Sequence, residues 1–289
     1  MKRILVIGDL VAEVVLRGLS GHPRPGREVF VSSARIAAGG AGARFAGALS
    51  RLGRRVTLIA KVGADEWGDL LLRRLKGKVE KVVPSRDPRR RTGLSVAFSE
   101  GEEASRVTYP GATASLTSRD LGSIDWRRYG HLHLASPFQL LGLAILPLLR
   151  RAKAAGLTVS IGAGGDPRGR WDLKDLAAKV DLLFIGEPAA KALGGSAKAL
   201  GERATLVVVQ RSGKGGVART KGREWKAPGW AEGAVFDAAF LDGWLDGHRV
   251  QEILAYALAA SSLAAEEGAD LGETPTRAEA LHQVGRKKD

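Results

Sequence analysis

Residues 37–44 read Ala37-Ala38-Gly39-Gly40-Ala41-Gly42-Ala43-Arg44, a glycine-dense turn that runs into a helical pattern over residues 45–52. Glycine lets the backbone approach a ligand closely, and the first turn of a helix presents N–H groups without helical partners. A strand over residues 56–61 and a second glycine turn over residues 62–68 follow. Because tight turns need glycine for steric reasons alone, the turn by itself is weak evidence of a binding site.

Outward from this turn, short runs of Val, Ile and Leu alternate with helical patterns. Buried strands are predicted over residues 4–7, 57–61, 131–134, 158–161, 182–184 and 206–209. Helices are predicted over residues 44–52, 67–75, 140–155, 173–180, 189–193 and 250–267. This order is typical of an α/β fold with a mainly parallel sheet covered on both faces. Without repeats or linkers, residues 1–289 are expected to form a single domain.

Two regions, residues 11–37 and 91–110, interrupt the alternation with strand-like runs that have no helix between them. Residues 94–98 and 106–109 are expected to form a hairpin around residues 100–103, and residues 29–31 are expected to pair with it. Strands that project from an α/β body would form a lid or an oligomer surface. The pattern is therefore compatible with a homodimer that pairs through the lid strands.

The composition excludes several classes of protein. The 289 residues include no cysteine, so disulfide frameworks and thiolate metal sites are ruled out. No apolar run of signal-peptide form opens the chain, and the longest apolar stretch, residues 140–149, contains Pro147 and is too short to cross a bilayer. We expect a cytoplasmic protein. The scarcity of Cys and Met and the abundance of Arg weakly indicate heat stability.

The formal net charge of +14 favours anionic partners. Basic residues cluster only at residues 89–91 and 286–288, and no aromatic side chains interleave with them. Because stacking aromatics normally accompany a nucleic-acid surface of this kind, nucleic acid is not the expected partner.

Several short motifs together carry a resemblance to a known family. They are Ile4-Leu5-Val6-Ile7-Gly8, Pro25-Gly26-Arg27-Glu28, Gly39-Gly40, Val62-Gly63-Ala64-Asp65-Glu66-Trp67-Gly68, Tyr109-Pro110-Gly111-Ala112 and Ala239-Phe240-Leu241-Asp242-Gly243. With them, nearly the whole chain resembles the ribokinase-like (PfkB) carbohydrate kinases. The resemblance implies a three-layer α/β/α fold with a small β-strand lid. It does not by itself imply activity, because function depends on the site and not on the fold.

In that family an Asp that follows a Gly-Ala-Gly turn is the base for ATP-dependent phosphorylation of a sugar hydroxyl, with Mg²⁺ neutralising phosphate charge. Aligned on Phe240, the chain has Val235-Phe236-Asp237-Ala238 there, so the base position falls on Ala238, which cannot accept a proton. Asp237 is the alternative, as a displaced base, and its other interpretation is a carboxylate near a helix start. Glu232 falls on the Asp that leads into the turn.

The resemblance also assigns candidate binding residues. Those on the sugar side are Glu13, Gly39, Gly40 and Arg44; those on the nucleotide or anion side are Ser212, Lys214 and Gly215. Two interpretations of Arg44 stay open: an ion pair with Glu13, or a contact for an anionic ligand. The loop with Lys214 is equally compatible with an ordinary glycine turn.

The family's metal-organising Asn-x-x-Glu falls on Gly186-Glu187-Pro188-Ala189, where both polar members are lost, so no metal ligand is assigned. His131 and His133 share one strand face, but without a third ligand they are expected in the core.

Three functions follow as hypotheses. The favoured one is a kinase-like protein that binds a sugar-like or anionic molecule with phosphotransfer lost or very weak. The alternative is an active ATP- and Mg²⁺-dependent sugar or nucleoside kinase with a displaced base. The third is a scaffold or nucleic-acid partner that uses the basic charge.

Overall fold

The computed structural model describes residues 2–21, 23–100, 103–122, 124–166, 168–169, 171–193, 206–267 and 274–286. In this part of the chain the strands are Arg3–Ile7 (β1), Val11–Arg17 (β2), Ser33–Gly39 (β3), Val56–Gly63 (β4), Lys81–Asp87 (β5), Gly93–Glu100 (β6), Glu103–Tyr109 (β7), Tyr129–Ala135 (β8), Thr158–Ala163 (β9), Leu182–Gly186 (β10), Leu206–Arg211 (β11), Gly215–Thr220 (β12) and Arg223–Ala227 (β13). The helices are Ala41–Arg51 (α1), Glu66–Leu75 (α2), Ile145–Ala154 (α3), Lys174–Ala177 (α4), Glu187–Leu193 (α5), Gly233–Leu245 (α6), Val250–Glu267 (α7) and Arg277–Arg286 (α8).

Within the described residues, nine strands form one sheet in the order β13-β12-β11-β10-β9-β8-β1-β4-β5. The strands from β11 to β5 run parallel, and β12 and β13 add an antiparallel edge. The parallel strands are rich in Val, Ile and Leu because both of their faces are covered. The predicted mainly parallel α/β fold is confirmed, and the carboxyl ends of these strands meet at one edge of the sheet.

Successive residues of β1 serve the two faces of the sheet. Ile4 and Val6 belong to a hydrophobic cluster with α1, α6 and α7, whereas Leu5 and Ile7 belong to a second cluster with α3 and β9. This alternation follows from the two-residue repeat of a strand and gives the expected three layers. The middle of α6 is fully buried between the sheet and its neighbouring helices.

The lid is a separate four-stranded sheet in the described residues, in the order β3-β2-β6-β7. The hairpin predicted around residues 100–103 is present, with Glu100 opposite Glu103; residues 101 and 102 lie outside the described part. The expected pairing of residues 29–31 is wrong: they lie outside any strand, and β3 at Ser33–Gly39 pairs with β2 instead. The strand that leads into the glycine turn thus belongs to the lid.

Two predicted helices are shorter than their apolar patterns. The helix expected over 140–155 begins at Ile145, after a 3-10 turn at Pro137–Gln139. Pro147 is then the third helical residue, where its missing N–H costs no intrahelical bond, whereas a start at residue 140 would place it in the interior. The pattern over 173–180 contributes only Lys174–Ala177. None of the helices in the described ranges has both the length and the hydropathy that a bilayer crossing requires.

Candidate functional site

The start of α1 is occupied by a side chain of the protein itself. The carboxylate of Asp9 accepts from the backbone N–H of Ala41 (3.0 Å) and of Gly42 (2.9 Å). Gly40 has a φ of 99°, and a Cβ there would lie 2.6 Å from the carbonyl oxygen of Asp9. The glycines therefore allow β1 and α1 to approach closely, and these two donors are not available to an external anion. The sequence analysis did not single out Asp9, although it lies two residues after the end of β1.

Gln210 lies near the carboxyl end of β11, and its side chain holds the start of α6. Its Oε1 accepts from the N–H of Gly233 (2.7 Å), and its Nε2 donates to Oδ1 of Asp237 (2.5 Å). One amide side chain thus joins the sheet to the helix start and to the carboxyl group one turn further on.

The expectation that Ala238 occupies the position of the base at the site is wrong. Ala238 has none of its surface exposed and lies in the core with Phe236 and Phe240, whereas Asp237 is 8% exposed and lines a cavity. Consecutive helical residues point about 100° apart, so a motif aligned one residue off exchanges the core-facing and the cavity-facing side chain. Glu232, the lead-in acid, is exposed and lines a second cavity.

The first cavity measures about 300 Å³ and opens where β8, β9, β10 and β11 end. Its wall is mostly backbone and apolar side chains, including Phe45, Trp171 and Phe184. The polar side chains that line it are His133, Gln210 and Asp237.

The ionisable groups of this cavity are mainly neutral at pH 7. Burial raises the pKa of Asp237 to about 8, against the opposing effect of the hydrogen bond from Gln210. Burial, with His131 close by, holds the pKa of His133 well below its usual value. The cavity therefore has neither a cation to attract phosphate nor a carboxylate that is fully ionised.

The second cavity, of about 540 Å³, adjoins the first, because Ala41, Gly233 and Ala234 line both. Arg44 of α1 and Arg106 of the lid strand β7 reach it from different elements. Both guanidinium groups pair with Glu13, which is 1% exposed, and the Arg106 Nη2 lies 3.0 Å from Glu13 Oε1.

The structure therefore places Arg44 in an ion pair with Glu13, which is one of the two interpretations of Arg44 that the sequence left open. It adds Arg106, which the sequence did not single out. Two arginines and two carboxylates therefore belong to this region: Glu13 pairs with both guanidinium groups, and Glu232 lines the cavity from the α6 side.

The predicted nucleotide-side residues lie in the turn between β11 and β12. Gly215 begins β12, and a Cβ there would lie 2.0 Å from the carbonyl oxygen of Ala227 in β13, so the close approach of the two strands requires the glycine. The Lys214 Nζ lies 3.8 Å from Oε1 of Glu187, which also pairs with Lys191 at 3.4 Å. Ser212 is exposed, and neither Ser212 nor Lys214 lines the first cavity.

The sequence model of the pfkB family of carbohydrate kinases matches residues 1–277 of this chain. The chain belongs to this family. A curated pfkB-type relative, the 2-dehydro-3-deoxygluconokinase of Bacillus subtilis (strain 168), is 28% identical over 236 residues, which cover 74% of this chain and 68% of the relative.

Solved structures share the fold of this pfkB-family chain. Ribokinase from Giardia lamblia superposes with a TM-score of 0.84 at 18% identity, covering 98% of this chain and 99% of that one. A ribokinase II from Escherichia coli in complex with ATP and Mg²⁺ gives a TM-score of 0.79 at 19% identity, covering 99% of this chain and all 100% of that one. At these identities the likeness establishes the three-layer fold with its lid.

The residues of the pfkB-family chain do not fit a magnesium-bound triphosphate at the first cavity. Glu187, which lies between the two lost positions of the metal-organising motif, is paired with two lysines, and Asp237 is mainly protonated at neutral pH. Across the described ranges, no group of three or more His, Asp or Glu side chains is arranged to hold a metal ion.

His131 and His133 lie in the core, as expected of two histidines without a third ligand. Both are 1% exposed, and the hydroxyl of Ser160 lies between their rings. Burial lowers the pKa of His131 to about 3, with Lys153 adding to the effect. His133 is nevertheless part of the wall of the first cavity, which the sequence did not indicate.

Proposed function

We propose that this pfkB-family protein binds a small, anionic, sugar-like molecule in the second cavity and that its phosphotransfer is lost or very weak. The observation that carries the proposal is the pairing of two arginines, Arg44 and Arg106, around the single buried carboxylate of Glu13. Arg44 and Arg106 keep 32% and 56% of their side-chain surface exposed, so both guanidinium groups can also contact an anionic ligand in the cavity.

The chemistry of the cluster favours a carboxylate. A guanidinium group is planar and always charged, and it binds a carboxylate through two parallel hydrogen bonds. Because Arg44 lies on α1 and Arg106 on the lid, a bound carboxylate would also tie the lid to the body of the protein. The name of the B. subtilis relative denotes a kinase of 2-dehydro-3-deoxygluconate, which is a sugar acid.

Weak phosphotransfer is inferred from the first cavity. A positioned general base typically contributes about 10²–10⁴ in rate, and Asp237 is mainly protonated at pH 7. Two N–H donors at the start of α1 are taken by Asp9, and the first N–H of α6 is taken by Gln210. The site is therefore poorly prepared to stabilise a transferring phosphoryl group.

A second function, an active sugar kinase with a displaced base, is favoured by one observation: Asp237 lines the cavity. Its pKa of about 8 lies near the operating pH, as general bases require. This function predicts sugar-dependent ADP formation that Asp237→Asn abolishes.

The binding proposal is tested by calorimetric titration with 2-dehydro-3-deoxygluconate. We expect the wild type to bind it and Arg44→Ala or Arg106→Ala to bind about ten- to a hundredfold more weakly, because each loses a charge-assisted hydrogen bond of about 1.5–3 kcal/mol. Arg55→Ala is the matched control, since Arg55 pairs with Glu80 at an exposed site. No binding by the wild type, or equal affinities in all four proteins, contradicts the proposal.

A further inference from the structure

Hydrogen bonds between β8 and β9 form a chain, and a backbone carbonyl at one end determines which atom donates in each bond. The hydroxyl of Thr158 donates its one proton to the carbonyl oxygen of Gly130 (3.2 Å). Its oxygen, 2.8 Å from His131 Nδ1, must therefore accept, which places a proton on that nitrogen.

The remaining protons follow from the first. A neutral His131 with a proton on Nδ1 has a bare Nε2, so the Ser160 hydroxyl, 2.7 Å away, donates to it. Ser160 then has no proton left for His133 Nδ1, 2.8 Å away, and must accept from it. The second nitrogen of His133, Nε2, is therefore a bare acceptor as long as the ring is neutral, and burial keeps it neutral.

This acceptor faces the first cavity. The ring of His133 stacks on Phe45, with centroids 3.5 Å apart and planes 8° from parallel, which fixes its orientation. A Cβ on Gly162 would lie 3.4 Å from His133 Nε2 and 3.8 Å from Asp237 Oδ2, so these two atoms flank one patch of cavity wall. Among the residues that the structure describes, none forms a hydrogen bond with His133 Nε2.

We propose that His133 is a ligand-binding residue that accepts a hydrogen bond from a hydroxyl group of the bound molecule at Nε2, with Asp237 beside it. The inference rests on the proposed function: the charged end of the ligand meets Arg44 and Arg106, and a hydroxylated end enters the first cavity. Gln210 donates to Oδ1 of Asp237, so the proton of the neutral carboxyl belongs on Oδ2, where it donates to the oxygen of the same hydroxyl.

The proposed pair discriminates between ligand groups. A hydroxyl both donates and accepts, so it satisfies the bare Nε2 and the protonated carboxyl together. The dianion of a phosphate monoester offers only acceptors to His133 Nε2, and two acceptors facing each other repel. The wall at Gly162 is thus suited to an uncharged polyol portion and not to a phosphoryl group.

Nitrogen NMR of the histidine-labelled full-length protein tests the acceptor without a ligand. The His133 signals, assigned by their loss in His133→Phe, should show a protonated Nδ1 and an unprotonated Nε2 that do not titrate between pH 5.5 and 8. Ser160→Ala should alter this tautomer signal because His133 Nδ1 loses its partner. A proton on His133 Nε2 in the wild type overturns the inference, because it shows that the chain runs in the opposite direction.

Titration with 2-dehydro-3-deoxygluconate tests the role in binding. His133→Phe keeps the stacking on Phe45, and it should weaken sugar-acid binding about tenfold. Sugar-acid binding that depends on Arg44 but is unchanged in His133→Phe overturns this inference alone. A wild type that binds no sugar acid contradicts the proposed function, and the NMR signals then support or overturn the His133 acceptor by themselves.

Discussion

At Asp237 a carboxyl group with 8% of its surface exposed lines the first cavity, and the amide of Gln210 is its one hydrogen-bond partner among the described residues. From the sequence, the position of the base falls on Ala238, and Asp237 is the alternative base. The sequence could not predict which of two adjacent helical residues faces the cavity, because a shift of one residue along α6 rotates the side chain by about 100°. The core contacts of Ala238 with its neighbours determine that rotation.

The stability of the protein should depend on pH through Asp237. Its pKa is about 8 in the folded protein against an ordinary 3.8, so the unfolded chain ionises first as the pH rises. The group therefore lowers the free energy of unfolding progressively between pH 4 and pH 8, by about 1.36 kcal/mol per pH unit at most, and no further above pH 8.

Asp237→Asn removes this dependence and keeps an oxygen for Gln210. Urea unfolding should show the variant more stable than the wild type by several kcal/mol at pH 9, with the difference shrinking toward pH 5. Asp125→Asn, at an exposed position, is the control and should change little. Two curves for Asp237→Asn and wild type that stay parallel from pH 5 to 9 would show that the carboxyl is not buried as described.

Among the elements, α1 shows most directly how local sequence fixes the site. Helix α1 packs so closely on β1 that a Cβ on Gly42 would lie 2.7 Å from Gly8 Cα and 2.9 Å from the Asp9 nitrogen. These neighbours are backbone atoms, which cannot move aside as a flexible side chain does. The close packing also lets Asp9 reach the first turn of the helix.

Gly42→Ala should therefore destabilise the protein by at least about 1–3 kcal/mol, the usual range for overpacking, despite the higher helix propensity of alanine. Gly285→Ala is the matched control, because a Cβ on Gly285 in α8 meets nothing within 4 Å and should be neutral or slightly stabilising. Chemical denaturation of both variants checks this. Equal effects at the two glycines would contradict the described contact between α1 and β1.

The order of buried strands and the main helices could be predicted because apolar periodicity records burial. Two of the missed strands, β5 and β13, lie at the edges of the sheet, where the pattern is weak, and β12 beside β13 was missed as well. β5, an edge strand, is half exposed and contains Pro84, and β13 is mostly exposed. Proline is tolerated there because one side of an edge strand needs no ladder hydrogen bonds. The site's hydrogen-bond partners, Gln210 and Asp9, come together only through the fold.

At the scale of the whole molecule, a partly buried network of charged groups joins four segments. Arg54, close to the end of α1, pairs with Asp242 of α6 and with Asp246, which directly follows α6, and Arg277 of α8 pairs with the same two carboxylates. The hydroxyl of Tyr256 in α7 donates to Asp242 Oδ2 at 3.1 Å. The network fixes the C-terminal helices against the body, and with them the buried α6 that begins at the cavities.

Arg54→Met should destabilise the protein by about 3–5 kcal/mol, since it leaves the buried carboxylate of Asp242 without one of its cations. Arg55→Met, the adjacent residue with an exposed pair to Glu80, should cost less than about 1 kcal/mol. Urea unfolding at pH 7 compares them. A difference within about 0.5 kcal/mol would mean that the network contributes nothing beyond a surface ion pair.

Other expectations at this scale stay predictions: one folding domain over residues 1–289, dimerisation through the lid strands, heat stability and a cytoplasmic location. The net charge of +14 is spread over the chain, and two of its arginines, Arg44 and Arg106, line the second cavity.

The measurement that tests the central claim most directly is ADP release by the wild type with saturating 2-dehydro-3-deoxygluconate, ATP and Mg²⁺, after calorimetry has shown that the sugar acid binds. The account predicts binding without ADP release above the protein-free background, and no difference between wild type and Asp237→Asn. Sugar-dependent turnover that disappears in Asp237→Asn would contradict it and would identify the protein as an active kinase with Asp237 as its base.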